Sequence, residues 1–438
     1  MDGPRKPGGF LKPRSGFATT AIHAGQEAEK WKSAAVVPPI VTSTTFKQVA
    51  PAEHSGFEYG RSGNPMRNTL EECLAALDGG NHGFAFASGL GAITSIVAML
   101  SKGDHIVAMD ELYGGTSLLF RNVISRLGID VTFADITDLG VLCNALQDNT
   151  KMLWIETPTN PLMKVVDIGN TVRIVKRRGP ILVVVDNTFL TPYLQRPLEF
   201  GADIVVYSLT KYMNGHSDVV MGAAVVDEQA VAEKLRFLQN AMGIVPSPFD
   251  CYLVNRSLKT LALRMEKHRE TSMIVARYLE RHPLIEEVMH PGLKSHKCHD
   301  IAKKQTAGHS GVFSFRHAGE LEHSKKLLSG LKIFTLAESL GGYESLAELP
   351  SLMTHASVPE QLRTELGITH TLIRLSIGLE DAQDLVRDLD QALHYAFNDT
   401  DIYVDHLRPS QIRPSVDHIR FPGPASDENV SPERPPDN

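Results

Sequence analysis

The chain has 438 residues, 42% hydrophobic and 22% charged, an ordinary globular composition with length for more than one domain. A formal net charge of −7 argues against nucleic acid or anionic lipid as a main partner. No run is long and apolar enough to span a membrane, and the start "MDGPRKPGGFLKPRSGF" lacks the apolar core of a secretory leader. Four scattered cysteines without a CxxC spacing fit a reducing compartment, so a cytoplasmic setting is expected.

Residues 1–60 carry no core of their own and read as an arm that packs on another surface. From about residue 83 to 225, the runs "GFAFA", "HIVAMD", "VTFADI", "KMLWIE", "ILVVVDN" and "DIVVYS" have strand length and β-rich composition. Between most of them lie the helical patterns "AITSIVAML", "TSLLFRNVISRL" and "GNTVRIVKRRG". Strands buried on both faces and separated by helices predict a mainly parallel α/β sheet, assigned to a large domain over 61–258. The stretch "SPFDCYLVNRSLKTLALRMEKHRETSMIVARYLERH" predicts a long helical region broken near Arg256. It leads into a smaller α/β domain over 259–398, with strands at "GVFSFRH" and "LIRLSIGLE" and a closing helix at "AQDLVRDLDQALHYAF". Residues 399–438 hold seven prolines and little apolar periodicity, the pattern of a disordered or draped tail.

In open parallel sheets, ligands gather at the carboxyl ends of the strands, and four features fall there. "FASGLGAITS" turns from strand to helix through small residues, which suits a phosphate on free helix N–H groups and equally a tight turn. Its "GLGAIT", with Asp110 ending the next strand, gives a weak dinucleotide fingerprint because Thr94 stands where the third glycine belongs. Asp186 ends the most hydrophobic strand, where a carboxylate can cap a helix or hold a cationic ring nitrogen. Lys211 follows "ADIVVYS", beside Ser208 and Thr210, and Tyr113 precedes two glycines after another strand. Each has a bland reading: a snorkelling lysine, a packed aromatic. Together they form the set that pyridoxal phosphate requires, namely a phosphate cradle, a carboxylate, an aromatic plate and an amine. "HKCH" at 296–299 resembles a metal cluster, but no second ligand pair is near in sequence, so no metal is expected.

The ordered motifs "VVPPIVTSTTFKQ", "HSGFEYGRSGNP", "FASGLGA", "YGGT", "WIETPTNP", "VVDNTF", "SLTKYMNGHSDVVMG", "LAESLGG", "MTHAS" and "IRLSIGLED" resemble the Cys/Met-metabolism family of pyridoxal phosphate enzymes. The likeness covers about residues 17–397 and implies fold type I, aspartate-aminotransferase-like, with a mainly parallel seven-stranded sheet. It implies Lys211 as the lysine that binds the cofactor and then acts as base, Asp186 as the ring-nitrogen partner, and Tyr113 as stacking residue and proton shuttle. Ser88, Gly89, Leu90, Ser208 and Thr210 match phosphate contacts. Tyr59 and Arg61 match residues that reach the phosphate and substrate from a neighbouring subunit, which implies a homotetramer built as a dimer of dimers with shared sites. Arg374 matches the clamp on the substrate α-carboxylate, with Asn160 and Ser339 beside it. Glu338 would face the distal amino group of the substrate. The implied reaction is γ-elimination from cystathionine, with hydrogen sulfide release from cysteine or homocysteine. γ-Replacement on an acylhomoserine is the alternative. Two positions depart from related pockets: Gly115 replaces a cysteine, and Ser117, Leu118 and Leu119 replace Asn-Arg-Tyr at the rim.

Overall fold

A computed structural model of the chain describes residues 9–356 and 358–397; the proline-rich segment 399–438 lies outside the described residues. The large sheet contains β1 (His82–Phe86), β2 (His105–Met109), β3 (Asp130–Ala134), β4 (Thr150–Glu156), β5 (Leu182–Asp186), β6 (Ile204–Ser208) and β7 (Gly222–Val226). Their spatial order is β1-β7-β6-β5-β4-β2-β3. From β3 to β6 every pairing is parallel, whereas β7 runs antiparallel to both β6 and β1. The runs of valine and isoleucine in β2, β5 and β6 are buried because helices cover both faces of the sheet. The strand β7, "GAAVV", was not among the predicted strands; its small residues carry little β signal, yet it is fully buried.

Before the first strand come α1 (Phe17–His23) and α2 (Pro65–Asp78). The crossovers that follow β1 to β4 are α3 (Gly89–Val97), α4 (Gly114–Asn122), α5 (Leu139–Ala145) and α6 (Ile168–Lys176). Next come α7 (Thr191–Leu194), α8 (Gln229–Ala241), α9 (Pro248–Leu258) and α10 (Leu261–Glu280), so the predicted long helix breaks just beyond Arg256. A second sheet holds β8 (Ile285–Met289), β9 (Val312–His317), β10 (Thr335–Leu336), β11 (Leu346–Glu348) and β12 (Leu372–Ser376) in the order β10-β11-β12-β9-β8. Its helices are α11 (His299–Gln305), α12 (Leu321–Gly330), α13 (Glu360–Leu366) and α14 (Ala382–Phe397). α14 buries Leu385, Leu389, Ala392, Leu393 and Ala396, one apolar stripe at helical spacing.

Part of the N-terminal arm packs on its own chain. Phe17 and Ala21 of α1 are buried in the core around α2, and the Leu11 N–H donates to the Thr306 carbonyl at 2.9 Å. Further along, Val36 (80% exposed), Val37 (58%) and Val49 (84%) have no such cover. Among the described residues, no helix is long and apolar enough to cross a membrane.

Candidate active site

The carboxyl ends of β4, β5 and β6 and the start of α3 line one side of a cavity of about 360 Å³; residues 338–340 and Arg374 of β12 line the other. Two further hollows, of about 400 and 600 Å³, share none of these residues, so size alone does not mark the site.

α3 starts where a glycine is needed. Ser88 caps it by accepting the Gly91 N–H on Oγ at 2.9 Å, which leaves the N–H groups of Gly89 and Leu90 at the first helical positions without intrahelical acceptors. A Cβ on Gly89 would stand 3.2 Å from that of Ser208, so α3 approaches the end of β6 at glycine distance. Gly222 of β7 is tighter still, since a Cβ there would lie 2.2 Å from the Ser88 carbonyl oxygen. Thr210 is pinned by accepting the Met221 N–H at 3.0 Å, while the Ser208 hydroxyl makes no protein hydrogen bond among the described residues and lines the cavity. Two open N–H groups at a positive helix end beside a hydroxyl are a seat for a phosphate.

Asp186 and Glu156 sit side by side at the ends of β5 and β4, in register. The Asp186 carboxylate accepts the N–H (3.0 Å) and hydroxyl (2.6 Å) of Thr188, whose Oγ1 in turn accepts the Ser208 N–H at 2.9 Å. Burial pushes the pKa of Asp186 up, and the two Thr188 bonds oppose the shift. Glu156 is raised well above the usual range, first by burial and then by the Asp186 carboxylate. A cation placed against this pair would let Asp186 keep its charge. Glu156 also orients Tyr113, accepting its N–H on Oε2 at 2.8 Å, just where α4 begins. The Tyr113 phenol is raised by burial and then by Glu338 and Glu156, which keeps it protonated.

Across the cavity, Lys211 Nζ donates to Ser339 Oγ at 2.9 Å. Burial, then repulsion from Arg374, draws its pKa down to about 8. Ser339 has a φ of +91°, a strained conformation for a residue with a Cβ; its carbonyl accepts from Arg374 Nη2 at 2.7 Å and its hydroxyl holds Lys211. Arg374 is 2% exposed; its Nη1 meets Asn160 Oδ1 at 3.0 Å and Glu348 Oε1 at 2.7 Å. Its Nε is buried without a partner among the described residues, a donor left for a ligand. Glu338 lines the cavity from the exposed side.

The fold thus gathers Ser88, Gly89, Leu90, Tyr113, Asn160, Asp186, Ser208, Thr210, Lys211, Glu338, Ser339 and Arg374 around one space. Tyr59 and Arg61 do not line it. They lie together on the surface, the guanidinium 5.7 Å from the Tyr59 ring centroid and bonded to the Asn240 carbonyl at 2.9 Å. Sequence reasoning missed Glu156, Thr188 and Glu348. An acidic residue ending "KMLWIE" and the Asp-x-Thr turn of "DNT" were usable signals; nothing in "LAELP" distinguishes Glu348. The cavity suits pyridoxal phosphate on its own terms, by the open N–H pair, the buried carboxyl lacking a cation, and an amine close to neutrality.

The sequence profile of the Cys/Met metabolism PLP-dependent enzymes matches residues 18–394. A protein of Sus scrofa named cystathionine gamma-lyase is 58% identical over 89% of this chain and 96% of its own. Of solved structures, cystathionine gamma-lyase from Lactobacillus plantarum, complexed with L-serine, superposes with a TM-score of 0.84 at 38% identity, over 87% of this chain and 99% of its own. Cystathionine gamma synthase from Xanthomonas oryzae pv. oryzae, in complex with cystathionine, gives a TM-score of 0.84 at 41% identity, over 87% and 98%.

Proposed function

Because this chain belongs to the Cys/Met metabolism PLP-dependent enzyme family, we propose that it catalyses α,γ-elimination of L-cystathionine to L-cysteine, 2-oxobutanoate and ammonia. The curated relatives named as gamma-lyases, from 50% to 58% identical, support elimination over the replacement chemistry of a synthase. One observation in the cavity carries the reading: Lys211 and Arg374 meet at Ser339, so an amino acid whose carboxylate reaches Arg374 has its Cα beside the amine.

Pyridoxal phosphate, held by the α3 N-terminus, Ser208, Asp186 and Lys211, supplies the electron sink that makes protons at Cα and Cβ removable. Arg374 orients the substrate through its α-carboxylate, helped by the fixed position of Asn160. Lys211 Nζ takes the Cα proton, because burial draws its pKa down to about 8 and so leaves a fraction of the amine neutral near physiological pH. Lys211, once it has passed that proton on, takes one from Cβ, and the Tyr113 phenol donates its proton to the departing γ-sulfur as cysteine leaves. The remaining four-carbon fragment then hydrolyses to 2-oxobutanoate and ammonia. With cysteine or homocysteine as substrate, the same groups would release hydrogen sulfide.

Tyr59 and Arg61, which do not line their own cavity, are read as completing a partner's site in a homotetramer of two site-sharing dimers. A cytoplasmic location fits four free cysteines, two of them buried thiols. The reaction is tested by giving the purified, cofactor-loaded protein L-cystathionine alone, or an acylhomoserine with cysteine. Equimolar cysteine and 2-oxobutanoate from the first are expected. Inertness towards cystathionine with rapid cystathionine synthesis from the second mixture would establish replacement instead.

A further inference from the structure

α10 carries Arg269, Met273, Arg277 and Arg281 at four-residue intervals, so that they stand above one another on one face, Arg281 just past the helix end. In front of this stripe lies the hollow of about 400 Å³, walled also by Phe10, Lys294 and His309. Arg269 pairs with Glu266. Arg277, Arg281 and Lys294 make no ion pair among the described residues. The acidic residue in the lining, Glu280, accepts the Ser295 hydroxyl instead. Lys164, Lys176, Lys304 and Arg316, elsewhere on this molecule, each have a carboxylate within 3.1 Å, whereas here three cations converge on one hollow without one among the described residues. Cations at the end of α10 complement its dipole, which accounts for Arg277 and Arg281 but not for Lys294, which reaches the same space from the loop before α11.

The walls suit an anionic ligand in two further ways. His309 lines the hollow with its ring centroid 4.3 Å from that of the buried His290, and burial keeps the His309 imidazole neutral, with Arg269 and Arg277 adding to the effect. His309 therefore adds no charge but gives the wall a polar ring. The Phe10 ring meets His309 edge-on at 6.3 Å and gives the hollow an aromatic side. Arg277 and Arg281 are separated by one helical turn, about 6 Å along the axis, so their forks can engage neighbouring anionic groups.

We propose that this hollow is a second ligand site, separate from the cofactor cavity, that takes a diphosphate-bearing molecule. The two guanidinium groups and Lys294 hold the phosphates, and the Phe10 side accepts whatever planar group the phosphates carry.

The test is calorimetric titration of the full-length, pyridoxal phosphate-loaded protein with inorganic pyrophosphate and with ADP at constant ionic strength. Loading keeps the phosphate seat at α3 filled. Saturable binding at one site per chain is expected, weakened at least about tenfold in Arg277→Ala/Arg281→Ala and unchanged in Lys325→Ala, a lysine elsewhere on the surface. Tighter binding of ADP than of pyrophosphate would identify a nucleotide, and equal affinities a bare diphosphate; both support the site. The double variant's visible absorbance and turnover report whether it folds. No saturable binding of either probe at millimolar concentration, or binding that survives the double substitution in a folded variant, overturns the proposal.

Discussion

Lys211 folds into a place where its ammonium is poorly solvated, and burial with Arg374 repulsion draws its pKa from 10.5 to about 8. Below about pH 8 both folded and unfolded chains carry that proton, and the folded state bears the full cost of the buried charge. Between about 8 and 10.5 the unfolded chain still holds a proton that the folded chain has released, so this side chain makes stability rise with pH across that window. Lys211→Met is therefore expected to abolish turnover yet raise the melting temperature of the cofactor-free protein below pH 8, by up to about 3 kcal/mol of stability. The gap to the parent should narrow as pH approaches 10.5; a gap that does not change with pH would show that the amine is not held as described. Asp186→Asn is expected to leave the fold intact and slow Cα-proton exchange with deuterated solvent roughly 10²–10³-fold, because an amide cannot hold a cationic nitrogen as a carboxylate does. Asp186 was legible because it ends an unbroken valine run. Its neighbour Glu156 was legible only as an acidic residue ending a strand; that the two carboxyls share one environment shows in the register of β4 on β5.

The phosphate seat belongs to no single element. α3 supplies the N–H groups, β6 stops short to admit them, and β7 presses against the Ser88 carbonyl at glycine distance. Gly222→Ala would drive a methyl carbon into that carbonyl, and overpacking of this kind costs about 1–3 kcal/mol. The variant should melt earlier and bind pyridoxal phosphate more weakly, measured by the visible absorbance during titration. Full cofactor affinity with unchanged melting would mean that the seat tolerates movement of α3. At this scale the sequence was readable wherever the physics is local. Continuous apolar runs gave β1 to β6, and the closing helix followed from its stripe of leucines. β7 was not readable, because alanine and glycine carry no strand preference and its place is set by antiparallel pairing with β6 and β1.

For the whole molecule, the reading that each site draws on two chains is tested by mixing. Arg61→Ala and Lys211→Ala chains, each nearly inactive alone, are co-refolded in equal amounts. Random pairing should restore about a quarter of parental activity, since half the dimers are mixed and each of those has one complete site. Mixed oligomers that form but recover nothing would remove Arg61 from the partner's site. Only part of this was legible beforehand. The absence of core residues marked the first 60 positions as dependent on some other surface, but Phe17 and Ala21 find theirs within the same chain. What remains uncovered is the valine-bearing stretch from 36 to 49. Its consequence lies in the life of a newly made subunit. If the proposed pairing holds, a neighbouring copy would cover these valines, and each chain would carry them bare until it met one. On that reading, pairing would compete with clumping from the moment of synthesis, and the outcome would turn on how many sister chains are nearby. Scarce expression would then cost more activity than the drop in copy number alone, because unpaired chains would be lost rather than stored.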